Sequence, residues 1–145
     1  MASFDDALQV AVYSALAGDA TLRALVGDYD ASGALVSAVA RVFDAPPEDA
    51  DFPFVEIGSF TASPFEATEV EGEEVFFEVK TWSAAPGAVE TRAIMKRVGD
   101  LLHDADLAVA GAKLANLRQT FRTSGAVGDG VVSPGVQRFR ALVTL

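Results

Sequence analysis

The sequence predicts an α+β fold, an antiparallel or mixed β-sheet of about four to five strands with helices packed on one face. Three observations predict it. The chain opens with apolar residues at helical spacing, its middle and end alternate apolar and polar residues as half-buried strands do, and one long amphipathic helix separates the two strand regions. A length of 145 residues, half of them apolar, suits a single domain over residues 1–145 with a core of its own.

Phe4, Leu8, Ala11, Val12, Ala15 and Leu16 recur at helical spacing, so a first helix is expected over about 4–17. Ser3, followed three residues later by Asp6, is placed to cap it, and Gly18 to end it in a left-handed conformation. Asp19 then caps a short second turn through Leu22 and Leu25 that Gly27 closes. Asp28 to Gly33 is turn-rich. Leu35 to Phe43 is apolar enough for a short helix or a strand, with only Ala40 to Phe43 assigned as strand. Pro46 and Pro47 stop that strand by removing two backbone donors.

Alternation over Phe54–Phe60 and Glu74–Trp82 marks two strands with one buried face. The intervening Thr61–Glu73 is too long for a tight hairpin turn and is expected to project as a loop over about 61–73. Pro86 is suited to a helix start, and Ile94, Met95, Val98, Leu101 and Leu102 give one apolar face to a helix over about 86–103. Ala112–Thr123 and Val136–Leu145 are the last two strands, joined by a second projecting loop over about 124–135. Strand periodicity assigns Val55, Ile57, Phe77, Val79, Leu117, Phe121, Phe139 and Val143 to the helix-facing side.

The net charge of −10 is unevenly distributed. Residues 1–79 contain sixteen carboxylates against Arg23 and Arg41, whereas residues 80–145 contain nine basic and five acidic side chains. So acidic a chain is a poor primary nucleic-acid binder, while unlike halves suit head-to-tail self-association. Carboxylates merely solvated on loops would give the same count. The alternation that builds the core assigns Arg118, Arg122, Arg138 and Arg140 to the opposite sheet face, with Glu56, Glu78 and Lys80. That face is either a self-neutralising solvated surface or a docking surface for an acidic neighbour.

No catalytic apparatus is visible. The single histidine, His103, ends a helix without a nucleophile to serve, and Asp100, His103, Asp104 and Asp106 match no metal-ligand spacing. Glu69, Glu71, Glu73 and Glu74 lie in or beside a loop, where nothing raises a carboxyl pKa for acid catalysis. The glycines of 125–135 lack the lysine and strand-to-helix transition of a phosphate loop. No cofactor is expected. Cysteine is absent, no apolar run is long enough for a membrane-spanning helix, and the N-terminus lacks the basic start of a signal peptide.

Several blocks, in order, carry a family resemblance. Arg41-Val42-Phe43-Asp44-Ala45-Pro46-Pro47 and Phe52-Pro53-Phe54-Val55-Glu56-Ile57-Gly58 resemble the short strand, proline turn and aromatic-proline-aromatic strand of the tail terminator, or tail-completion, proteins of long-tailed bacteriophages. Thr81-Trp82-Ser83, Leu101-Leu102-His103-Asp104 and the closing Val136-Gln137-Arg138-Phe139-Arg140-Ala141-Leu142 are similar to the same pattern. The resemblance covers nearly the whole chain, with 28–38 as an apparent insertion, and similar proteins occur in phage-like gene transfer agents.

The resemblance implies a structural part and no reaction. Such proteins typically form a hexameric ring in the virion or gene-transfer-agent particle, assembled in the bacterial cytoplasm. The ring caps the tail tube at the head-tail junction, ends its polymerisation and meets a head-completion or stopper protein on the other side. DNA only passes through the lumen, and no membrane is involved. A connector or stopper of the neck, or a small α+β ligand-binding or enzymatic domain, are the other readings. The residues expected at the subunit or tube interface are Arg118, Arg122, Arg138 and Arg140 on the sheet, Phe65, Glu69, Glu71 and Glu73 in the first loop, and Asp129 in the second.

Overall fold

The computed structural model describes residues 4–67, 70–125 and 133–145. Ser3, Glu69, Asp129 and most of the second expected loop lie outside them. Among the described residues, three helices, α1 (Asp5–Ala17), α2 (Ala20–Leu25) and α3 (Val89–Leu102), accompany seven strands. β1 (Asp28–Tyr29) and β2 (Leu35–Ser37) form a two-stranded arm, and β3 (Val42–Phe43), β4 (Phe54–Ala67), β5 (Val70–Ser83), β6 (Lys113–Ser124) and β7 (Ser133–Thr144) form one sheet ordered β3-β4-β5-β7-β6. β3 runs parallel to β4 and the other pairs are antiparallel, so the sheet is mixed and the class α+β.

One face of the sheet is covered by the helices. Register aligns Phe60, Phe77 and Phe139 across β4, β5 and β7, and their rings stack at centroid distances of 5.1 and 5.3 Å. Leu8, Val12 and Leu16 of α1 and Ile94, Val98 and Leu102 of α3 close over this ladder, all fully buried. Burial of each such side chain contributes about 1.5–3 kcal/mol before chain entropy is subtracted.

Polar bonds fix the helices to one another and to the sheet. Asp19 caps α2 as expected, accepting from the Leu22 amide at 2.8 Å, and also takes two hydrogen bonds from the Arg97 guanidinium of α3, at 2.7 and 2.8 Å. The Arg97 guanidinium holds the Asp19 carboxyl below its ordinary pKa, with the Leu22 amide adding to the effect against desolvation. Gln137 of β7 is buried and donates to the Met95 carbonyl of α3 and to Gln119 Oε1 of β6.

Several local expectations are corrected. Residues 61–67 and 70–73 are not a projecting loop, because β4 and β5 pair continuously from Phe54↔Trp82 to Ala67↔Val70. Thr144 of β7 backs this hairpin as far as Gly72. Pro64 and Glu71 are exposed there, and Pro64 lies on β4 beyond the reach of β3, where an edge strand tolerates a missing donor. α3 begins at Val89, because Gly87 takes a positive φ of 74° and keeps Pro86 out of the first turn. Gly18 ends α1 in a right-handed conformation. Leu35–Ser37 is strand, with Gly27 admitting the Ser37 carbonyl where a Cβ would clash. β7 starts at Ser133 rather than Val136.

Candidate functional site

The helix-free face of the sheet holds three of the four expected arginines. Arg118 lies opposite Arg140 across β6 and β7, and Arg138 and Arg140 lie opposite Glu78 and Phe76 of β5. Arg140 bonds Glu74 at 2.6 Å and Arg138 bonds Glu78 at 3.1 Å, so both are paired within the subunit. Arg118 reaches Asp104 at 3.7 Å.

Arg122 is elsewhere. A β-bulge between Gln119 and Phe121 shifts the alternation of β6 by one residue, so Phe121 pairs with Arg138 and Arg122 pairs with the buried Gln137. Phe121 therefore leaves the core and is 46% exposed, with the Arg138 guanidinium 5.0 Å from its ring centroid. Arg122 instead turns toward α3, where it lines a groove of about 450 Å³ with Arg92, Met95 and Lys96. Arg92 donates to Ser124 Oγ in that groove at 3.0 Å, and Lys96 pairs with Asp100 at 2.9 Å. Among the described residues, neither Arg92 nor Arg122 has a carboxylate partner.

The other side of the sheet is lined by carboxylates. A groove of about 530 Å³ runs between α1 and β3, past Asp6, Val10, Tyr13 and Asp44. It joins one of about 460 Å³ beside β4 that adds Asp5 and Glu56, with Lys80 among the residues lining it. Gln9 donates to Asp44 at 2.7 Å and the Trp82 indole donates to Glu56 at 3.0 Å. The arm of β1 and β2 stands at this side, tied by Arg41 to Asp28 and to the Val26 carbonyl. It leaves Tyr29, Leu35 and Val36 exposed.

The end of the β4–β5 hairpin divides the remaining expected residues. Glu71 is exposed, and Phe65 is half-buried with its ring against Gly72. Glu73 is not a solvated contact residue, since it is 7% exposed and accepts the Phe4 amide at the start of α1 at 3.0 Å. α1 has no side-chain cap of its own at Phe4, so this carboxylate from a distant strand satisfies an otherwise orphaned donor and complements the helix dipole.

The sequence blocks that stood out also meet in space. Phe54 stacks with Trp82 at 6.3 Å and with Phe43 edge-on at 5.9 Å. Ser83 Oγ donates to Glu90 and accepts the Ala85 amide, joining β5 to the start of α3. At the other end of α3, His103 Nδ1 accepts the Gln119 amide and the Asp104 amide donates to the Leu117 carbonyl. The aromatic contacts join three strands, and the hydrogen bonds join strands to the two ends of α3. Among the described residues no three His, Cys, Asp or Glu side chains are grouped to hold a metal ion.

Arg92, Lys96, Asp5, Asp6 and Asp44 were not among the expected interface residues. Arg92 and Lys96 have a sequence signal, an i,i+4 pair on the polar side of an amphipathic helix, but nothing in the sequence showed which strand edge that side overhangs.

Comparison with known proteins agrees with this structural reading. Residues 10–144 match the family described as tail completion protein gp17. The chain is 29% identical over 129 residues to the tail completion protein gp17 of Bacillus phage SPP1, covering 86% of this chain and 92% of that one. Its fold superposes on a chain from the virion of a native gene transfer agent particle with a TM-score of 0.82 and 26% identity, covering the whole of both chains. The chain thus belongs to the tail completion protein gp17 family, as a structural component of a phage or gene-transfer-agent virion and not an enzyme.

Proposed function

We infer that this subunit assembles into a hexameric ring that caps the tail tube, ends its polymerisation and presents the surface joined to the head. The observation that carries this reading is the full-length likeness to a chain of an assembled gene transfer agent particle. Chemistry supports it as well. A ring needs unlike surfaces on each subunit, and this one has a cationic groove beside α3 and carboxylate-lined grooves beside α1.

In this reading the helix-free face, with Arg118, Arg138, Arg140 and the exposed Phe76 and Phe121, is a contact surface for the tube protein or the head-side partner. Its arginines alternate with the carboxylates of Glu74, Glu78 and Asp104, so it suits a partner of mixed charge. Phe65 and Glu71 of the β4–β5 hairpin are further contacts in the same reading, as are Glu69 and Asp129, which lie outside the described residues. Carboxylates on a lumen wall would repel passing DNA and keep it from sticking.

The test is native mass spectrometry and negative-stain imaging of the subunit alone and with tail tubes, together with tube lengths in particles lacking it. A six-fold ring at one tube end, and overlong tubes in its absence, are expected. A subunit that stays monomeric with tubes overturns the ring. Density at the head portal, away from the tube end, would instead make it a neck connector or stopper.

A further inference from the structure

We propose that neighbouring copies dock edge to edge, with the cationic groove of Arg92, Lys96 and Arg122 on one subunit receiving the carboxylate edge of Asp5, Asp6 and Asp44 on the next. The proposal rests on the ring reading and names the contact that would build it. The partner is a second copy of this chain.

Placement is the first argument. The two surfaces flank opposite edges of one five-stranded sheet, β6 and β3–β4, separated by four strand spacings or about 19 Å. A contact that joins opposite edges is heterologous, repeats from copy to copy, and closes into a ring when its rotation allows.

Charge is the second. Arg92 and Arg122 have no carboxylate partner among the described residues, and Asp6 is exposed. Each groove thus offers what the other lacks. Apolar surface accompanies the charge on both sides, with Val10 65% exposed beside the carboxylates and Val89 78% exposed at the start of α3.

The third argument concerns how the edges can meet. β3 covers only Val55 and Glu56, which leaves β4 open beyond them, but a bulge at Ser59, with φ of 34°, interrupts its ladder. On β6 the Leu117 carbonyl and Gln119 amide are already taken by Asp104 and His103. Next to the two charged surfaces both edges are interrupted, so the copies join there through side chains, and the contact weakens with salt.

Charge reversal tests it. Arg92→Glu with Arg122→Glu, and separately Asp6→Lys with Asp44→Lys, should each weaken self-association by about tenfold or more at low salt, measured by sedimentation or light scattering. These side chains are exposed, and circular dichroism should show the wild-type fold in both variants. A chain with all four substitutions, or an equimolar mixture of the two variants, should regain assembly because the reversed surfaces again complement each other. If folded variants assemble like wild type, or the fourfold variant folds but fails to assemble, the contact is wrong while the ring can stand. A wild-type chain that never oligomerises, even on tubes, overturns both.

Discussion

The two edges of the sheet solve the same problem with opposite charge. Beside β3 and β4 the edge is interrupted by a bulge and lined by Asp5, Asp6, Asp44 and Glu56. Beside β6 it is covered by the backbone of Asp104 and the imidazole of His103, and faced by Arg92, Lys96 and Arg122. The difference follows from chain order. The acidic first half builds α1, α2, β3 and β4, and the basic second half builds α3, β6 and β7, with β5 between them. An asymmetry along the sequence becomes an asymmetry across the sheet, which teaches that protecting an edge and choosing its partner are separable tasks.

The largest effect is expected where the two edges share support. Phe139 is fully buried and stacked on Phe77 at the centre of the sheet, so Phe139→Ala should cost about 3–5 kcal/mol and lower the melting temperature by roughly 10 °C. Hydrogen exchange should rise on both edges together. Loosening confined to one edge would break the view of a common core.

A smaller loss is expected at the brace between α2 and α3. Asp19→Ala removes the cap of α2 and the partner of Arg97, and the lost cap alone should cost about 1 kcal/mol in urea denaturation. The Asp19 carboxyl is held below its ordinary value of 3.8 in the folded state, so the unfolded chain binds its proton first as pH falls. Its contribution is complete above that value and is lost as pH drops through the lower folded one. The stability difference between wild type and Asp19→Asn should therefore be constant near neutrality and shrink only in strong acid. A difference that already shrinks near pH 6 would show that another group titrates there.

The smallest effects separate the arginines. Arg138→Glu with Arg140→Glu breaks two ion pairs to β5 and sets four carboxylates together, at a cost of roughly 1 kcal/mol. Arg92→Glu with Arg122→Glu should change stability by less than about 0.5 kcal/mol, because no carboxylate among the described residues depends on either side chain. Equal melting curves for the two double variants would mean that the helix-free face is no more integrated into the fold than the groove.

The elements with strong periodicity were legible. α1, the capped α2, the alternating strands and the apolar face of α3 each follow from short-range spacing, and the matched blocks around Phe54, Trp82 and His103 proved to be places where one element joins another. The misassigned positions have two causes. Phe121 and Arg122 exchange faces because a single bulged residue resets the alternation, and no local sequence signal marks that residue. Glu73 was placed among solvated carboxylates because its partner, the Phe4 amide, is far away along the chain.

By itself the sequence determined the α+β class, the order of the main elements, the absence of recognisable catalytic chemistry and the opposite charge of the two halves. These depend on composition and on periodicities of a few residues, which propensity and burial enforce locally. Only the tertiary structure decided which residues share a surface. Strand order set the acidic half against one edge and the basic half against the other, the bulge in β6 turned Arg122 toward α3, and pairing across β5 and β7 gave Arg138 and Arg140 partners of their own. Such choices depend on contacts between residues far apart in the chain, where one register step moves every side chain to the other face.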